Sequence, residues 1–298
     1  LMEQALQGIP SIIIDYTDGF LPNQLEETFN EALAGKVKHR VVIQQKLPIN
    51  PFTQHEADYG GILMKEQSID VATRMKSVFK SSYNLGAQQE NAIYEATMEG
   101  LKKYGDQNFS IRHLGEQLRE MDDNPAAGTT LSRIRPLVDR NPFIQGETID
   151  WKEHLESDGE ILILQLTGFD RQEQVLLTEF VLWDLWNYSL REGTKDIPLT
   201  VVMDEAQNLD HRENSPSAKV LTEGRKFGWS GWYATQIVKS QFDKDEVARL
   251  QNTGQKVYFL QPDDEIPGKA KNLEDERYDR SNWEMKLRSL RKGQCIVN

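Results

Sequence analysis

Three stretches of this chain are apolar at nearly every position rather than at every second one: Ser11-Ile12-Ile13-Ile14-Asp15, Glu160-Ile161-Leu162-Ile163-Leu164-Gln165-Leu166 and Leu199-Thr200-Val201-Val202-Met203. Strands of this kind have no face to give to water. They belong inside a sheet covered on both sides, and the usual solution is a parallel sheet whose crossovers are helices.

The intervening segments agree. Met2 to Leu6 reads as a helix stopped by Gly8 and Pro10, and residues 23–33 read as another. Val41-Val42-Ile43 is a second buried strand, so helix, strand, helix and strand form a crossover unit. Residues 172–190 form a long apolar helix in which Phe180, Trp183, Trp186 and Leu190 recur at helical spacing. Gly231-Trp232-Tyr233-Ala234-Thr235, Lys256-Val257-Tyr258-Phe259-Leu260 and Gln294-Cys295-Ile296-Val297 read as further strands. Between residues 60 and 143 the pattern is helical throughout, with Val71, Met75, Val78 and Phe79 as one example. The expected organisation is an α/β core in two pieces, residues 1–59 and 151–298, interrupted by an all-helical insertion over 60–150.

Charge and cysteine content narrow the function classes. The net charge of −12, from 35 basic and 47 acidic residues, argues against a surface given over to non-specific nucleic-acid binding. It leaves room for a local basic stripe such as Lys286, Arg288, Arg291 and Lys292, which is equally a solvated helix face. Cys295 is the only cysteine, so there is no intrachain disulfide and no cysteine zinc cage, which fits a reducing, cytoplasmic setting. Apolar stretches such as Ile161-Leu162-Ile163-Leu164 are too short to span a bilayer, so no membrane contact is expected. With Leu1 at its start and no signal peptide, the chain reads as a piece of something longer.

The segment richest in chemistry is Leu199-Thr200-Val201-Val202-Met203-Asp204-Glu205-Ala206. An apolar strand followed by two acids puts both carboxylates at the carboxyl edge of a parallel sheet, where such folds bind ligands. There, the first acid can hold the hydration shell of Mg²⁺ and the second can orient or deprotonate a water that attacks a phosphate. Taken alone, the same pair is also a strand end whose acids cap the next helix. Its neighbours sharpen the choice. Thr235-Gln236 ends a strand that would place an amide beside the acids if the strands are adjacent. Arg225 and Lys226 precede a glycine-containing loop, either as ordinary charge at a helix C-terminus or as cations offered to a phosphate.

Together Val202-Met203-Asp204-Glu205-Ala206-Gln207, Glu223-Gly224-Arg225-Lys226-Phe227-Gly228 and Ala234-Thr235-Gln236 resemble the HerA/FtsK superfamily of ATPase motors. Gly8-Ile9-Pro10-Ser11-Ile12-Ile13-Ile14-Asp15 looks like that family's second strand, and Ile161 to Gly168 like the strand before its long helix. Within it, Asp15-Tyr16-Thr17-Asp18-Gly19-Phe20 and the helical block look most like the DptH ATPases of DNA-phosphorothioation-dependent restriction. The resemblance implies a RecA-like, mainly parallel sheet with helices on both faces. It implies an oligomeric ATPase, such as a hexamer, that uses ATP and Mg²⁺ and acts on double-stranded DNA with other restriction-system proteins. It implies Asp204 as metal ligand, Glu205 as water activator, Gln236 as polar sensor and Arg225 as a finger acting on a neighbouring subunit. Asp15 and Lys226 would contact the nucleotide.

One departure matters. No G-x-x-x-x-G-K-[ST] phosphate loop occurs, since Gly35-Lys36 and Gly268-Lys269 lack both the upstream glycine and the following hydroxyl. The expectation is that the phosphate-loop strand is missing from this fragment and that the fragment is inactive alone. Two rival readings remain: a non-hydrolysing scaffold that holds partner proteins, and a conjugation or secretion ATPase of the same superfamily. The histidines at 39, 55, 113, 154 and 211 show no metal-ligand spacing, and no serine sits in a nucleophile elbow. Trp183 and Trp186 read as core; Trp229 and Trp232 read as packing more than as base-stacking platforms.

Overall fold

A computed structural model describes residues 1–58, 61–193, 195–209, 215–235, 250, 253–274 and 278–298. They divide into two compact units, Leu1–Ala234 and Thr235–Asn298.

The first unit opens with helix α1 (Met2–Leu6), strand β1 (Ser11–Asp15), helix α2 (Glu27–Ala32), strand β2 (Val37–Val41) and the one-turn helix α3 (Val42–Gln45). A hairpin of β3 (Glu56–Asp58) and β4 (Leu63–Lys65) leads into four helices: α4 (Ser68–Tyr83), α5 (Ala87–Tyr104), α6 (Ile111–Glu120) and α7 (Pro125–Arg140). Then come α8 (Trp151–Leu155), β5 (Ile161–Gln165), the long α9 (Arg171–Glu192), β6 (Leu199–Met203), α10 (Pro216–Glu223) and β7 (Trp229–Tyr233).

Five strands form one sheet in the order β2-β5-β1-β6-β7, and every pairing is parallel. β1 lies at its centre, with Ile13 opposite Ile163 on one side and Val202 on the other. The continuous apolar character of these strands is explained by the two faces they serve. Ile12, Ile14, Leu164, Val201 and Met203 face a large core shared with α9 and the helical block. Ile13, Ile161, Ile163 and Val202 face a smaller one with Ala5 of α1 and Leu33 after α2. The architecture is therefore the expected α/β sandwich with a parallel sheet.

The helical block packs closely because its helices start and cross where the sequence allows it. Ser110, Asn124 and Asp150 cap α6, α7 and α8, while Asp170 and Glu173 form a reciprocal capping box at α9; each such cap stabilises by about 1 kcal/mol. Gly100 lets α5 approach Phe109 so closely that an added Cβ would sit 2.1 Å from the ring. Phe79 of α4 and Phe143 both meet Phe180 of α9 edge to face. Two cations approach the Trp183 ring, Lys219 of α10 at 4.2 Å and Arg74 of α4 at 5.9 Å from its centroid.

The next residue on α9, Asp184, accepts a 2.6 Å hydrogen bond from Trp151 Nε1, and burial pushes its carboxyl up to about 6. An acid whose folded-state value lies above its ordinary one costs stability as pH rises through the interval between them. Asp184→Asn keeps an acceptor for Trp151 and removes the buried charge. It is expected to gain about 1–3 kcal/mol over the unsubstituted protein at pH 8 and nothing below about pH 4. Urea midpoints at the two pH values check this.

Three local expectations are corrected. The second strand is Val37–Val41, not the apolar Val41-Val42-Ile43, because Val42 belongs to α3. Leu63–Lys65 is a strand rather than part of the helical block; it is three residues long and exposed throughout, so it carries no periodic signal. The last two strands do not extend the main sheet. In the second unit β8 (Val257–Tyr258) and β9 (Ile296–Val297) pair with each other, antiparallel. The reciprocal bonds between Lys256 and Asn298 close the ribbon. Tyr258 and Leu287 pack there with Ile266, Ala270 and Leu273, which lie on α11 (Ile266–Leu273); Leu287 lies on α12 (Arg280–Ser289). Of the terminal basic run, Lys286 stacks 3.3 Å over the Tyr278 ring and Arg288 pairs with Asp263. No helix among the described residues is long and apolar enough to cross a membrane.

Candidate active site

All five residues of β6 are buried, and the strand runs out at Met203. Its carboxyl end is flanked by the ends of β1, where Ile14 pairs with Met203, and of β7, where Tyr233 does. Asp204 and Glu205 thus leave the sheet at its carboxyl edge, between two neighbouring strands and half-buried. Burial pushes the Asp204 carboxyl above the ordinary aspartate range. A hydrogen bond from the Glu205 backbone N–H works against that shift, and the charges of Glu205 and Asp15 add to it.

Glu205 itself adopts φ 50°, ψ 43°, the left-handed region. For a residue with a Cβ this costs roughly 1–2 kcal/mol. The turn persists because it is pinned on both sides. Ala206 N–H donates to Ala234 O at 2.8 Å, and Ala234 N–H donates to Met203 O at 3.0 Å. A 3₁₀ turn, Ala206–Asn208, follows directly.

Asp15 is fully buried at the end of β1, and its oxygens are taken up by its own loop. Oδ1 accepts from Thr17 N–H at 2.9 Å and Thr17 Oγ1 at 3.1 Å, and Oδ2 accepts from Phe20 N–H at 3.0 Å. It shapes the rim of the site. Gln165, ending β5, donates to Thr17 O and Thr167 Oγ1. Gln174, in the first turns of α9, donates to Tyr16 O at 3.0 Å and Leu166 O at 3.1 Å. These amides, and Gln207 after the acids, escaped the sequence reading; a polar side chain just beyond an apolar strand is the signal that marks Gln165.

Arg225 and Lys226 lie elsewhere. They occupy an exposed 3₁₀ turn, Gly224–Phe227, immediately before β7, with Lys226 Nζ 2.8 Å from Glu223. Gly228 O accepts from Leu199 N–H, so this turn sits at the amino edge of the sheet. A five-residue strand, about 16 Å long, separates it from the acids of the same chain. The structure brings Asp15, Asp204 and Glu205 to one edge and leaves Arg225 and Lys226 at the other. Gln236 lies outside the described residues, as does His211.

No set of three or more metal-ligating side chains occurs among the described residues. Mg²⁺ commonly uses one or two carboxylates and takes its remaining ligands from substrate phosphates and water. Asp204, a half-buried carboxylate at the carboxyl edge of the sheet, has the donor chemistry such an ion takes.

The parallel sheet in the order β2-β5-β1-β6-β7, with helices on both faces, is a RecA-like α/β fold. Among solved structures the chain is similar to VirB4 of Thermoanaerobacter pseudethanolicus, with a TM-score of 0.68 and 16% identity over 100% of this chain and 83% of that one. It is also similar to the plasmid coupling protein TrwB in complex with ADP and Mg²⁺, with a TM-score of 0.64 and 14% identity over 99% of this chain and 76% of that one. TrwB with the non-hydrolysable analogue ADPNP gives 0.62 at 14% identity over the same shares. At these identities the likeness is one of fold. No protein-family model matches the chain, and no curated protein does.

Proposed function

We propose that the chain is the acid-bearing part of an ATP-hydrolysing motor core of the conjugation or secretion type. The observation that carries this reading is the acid pair on a strained, doubly pinned turn at the carboxyl edge of β6, in a fold shared with VirB4 and TrwB. Of the two motor readings, the neighbours favour conjugation over restriction, since TrwB is described as a bacterial conjugative coupling protein.

In this reading Asp204 holds the Mg²⁺ that accompanies the nucleotide, and the ion's contribution is to neutralise phosphate charge. Glu205 accepts the proton of the attacking water or fixes its direction. Asp15 organises the Thr17–Phe20 rim, and Gln236 senses the terminal phosphate. Arg225, with Lys226 beside it, is too far from its own acids and serves a neighbouring copy, which makes assembly a condition of activity. Double-stranded DNA is the substrate of the assembled motor. The phosphate-gripping loop is contributed from outside these 298 residues, because no such motif lies within them.

Phosphate release from Mg-ATP tests this. The 298 residues alone are expected to release none, whereas the same chain in its native polypeptide context hydrolyses ATP and loses that activity in Asp204→Asn. An Asp204→Asn variant that turns over at the unsubstituted rate overturns the reading.

A further inference from the structure

The structure places the Gln207 side chain directly on the Glu205 carboxylate. The 3₁₀ turn puts it two residues on, and its Nε2 donates to Glu205 Oε2. Its other amide atom, Oε1, is buried and has no hydrogen-bond partner among the described residues. A buried acceptor left unmade costs about 1–3 kcal/mol, so the net stabilisation from this amide is small. The orientation is also dictated: only the NH₂ end can face a carboxylate, and turning the amide to satisfy Oε1 elsewhere would bring two acceptors together. Glu205, meanwhile, has three side-chain torsions to fix and projects from a backbone conformation that few residues tolerate.

From this geometry we infer that Gln207 is a positioning residue for Glu205: its amide sets the direction of the carboxylate that acts on the attacking water. The inference rests on the function proposed above. Asparagine is one methylene shorter and does not reach; glutamate supplies no donor at neutral pH.

Two measurements test it. In the native polypeptide context, Gln207→Ala is expected to lower kcat by about 10–100-fold with KM within about threefold, the signature of a misdirected catalytic group. Gln207→Asn gives no rescue. In the 298-residue chain without nucleotide, Gln207→Glu is expected to lose stability to urea as pH rises through the carboxylate range, because two carboxylates then face each other. The exchanged pair Glu205→Gln with Gln207→Glu restores the bond with its ends reversed, and so regains stability while kcat stays lost. A Gln207→Ala enzyme with unchanged or higher kcat, or a Gln207→Glu chain whose stability follows the unsubstituted pH profile, overturns the inference. If Glu205→Gln itself remains active, the site reading fails; if that variant is dead and Gln207→Ala is normal, only the positioning role fails.

Discussion

Substituting Glu205→Gln is expected to reduce ATP turnover by about 10²–10⁴-fold, the usual contribution of a positioned general base, while Mg-nucleotide binding stays within a few fold. The split follows from the geometry. On the proposed roles Asp204 holds the metal, and Glu205, one residue further along in the left-handed conformation, faces the water. A companion substitution separates chemistry from strain. Glu205→Gly also removes the carboxylate, but glycine takes the left-handed conformation without penalty, so this variant is expected to be as dead catalytically and more stable by about 1 kcal/mol. Single-turnover phosphate release, nucleotide titration and urea unfolding measure the three quantities. A Glu205→Gln enzyme that retains turnover would remove Glu205 from the mechanism.

The largest expected loss of stability comes from a glycine far from the acids. Gly159 has φ +73°, and a Cβ built on it would lie 2.0 Å from the backbone oxygen of Ala5 in α1. Neither the backbone atom nor the strand that begins two residues later can move aside cheaply. Gly159→Ala is expected to destabilise the first unit by about 3–5 kcal/mol, as overpacking against backbone is added to conformational strain. Gly146→Ala is the control: its φ is +78° but nothing lies within 4 Å of the new methyl group, so only the strain of about 1 kcal/mol remains. Equal losses at the two positions would show that the close approach to Ala5 carries no weight.

How much of this was legible in the sequence depended on where each segment lies in the sheet. β1 and β6 were read to the residue because both their faces are buried, which leaves a nearly continuous apolar run in each. β2 was displaced because it is an edge strand carrying Lys38, His39 and Arg40; its own apolar residues are only the terminal Val37 and Val41, and Val41 runs on into Val42 of the next helix. The acid pair was visible from the abrupt end of β6. That Arg225 and Lys226 lie at the opposite edge was not, because sequence proximity says nothing about which end of a parallel strand a connection returns to. The Gln207–Glu205 bond was equally hidden: the residues are neighbours in any reading, and only the left-handed turn turns one toward the other.

The order of the strands also dictates an order of events during synthesis. β1 is finished at residue 15, yet its partners begin only at residues 161 and 199. A nascent chain therefore carries its central, aliphatic strand unsheltered while the entire four-helix block, whose contacts are local, emerges and packs. Ribosomal pausing before residue 203 would prolong exactly the interval in which β1 can be captured by chaperones or by other chains. The strand that finally shields it is β6, so the molecule gains its central core and its acidic turn in the same step.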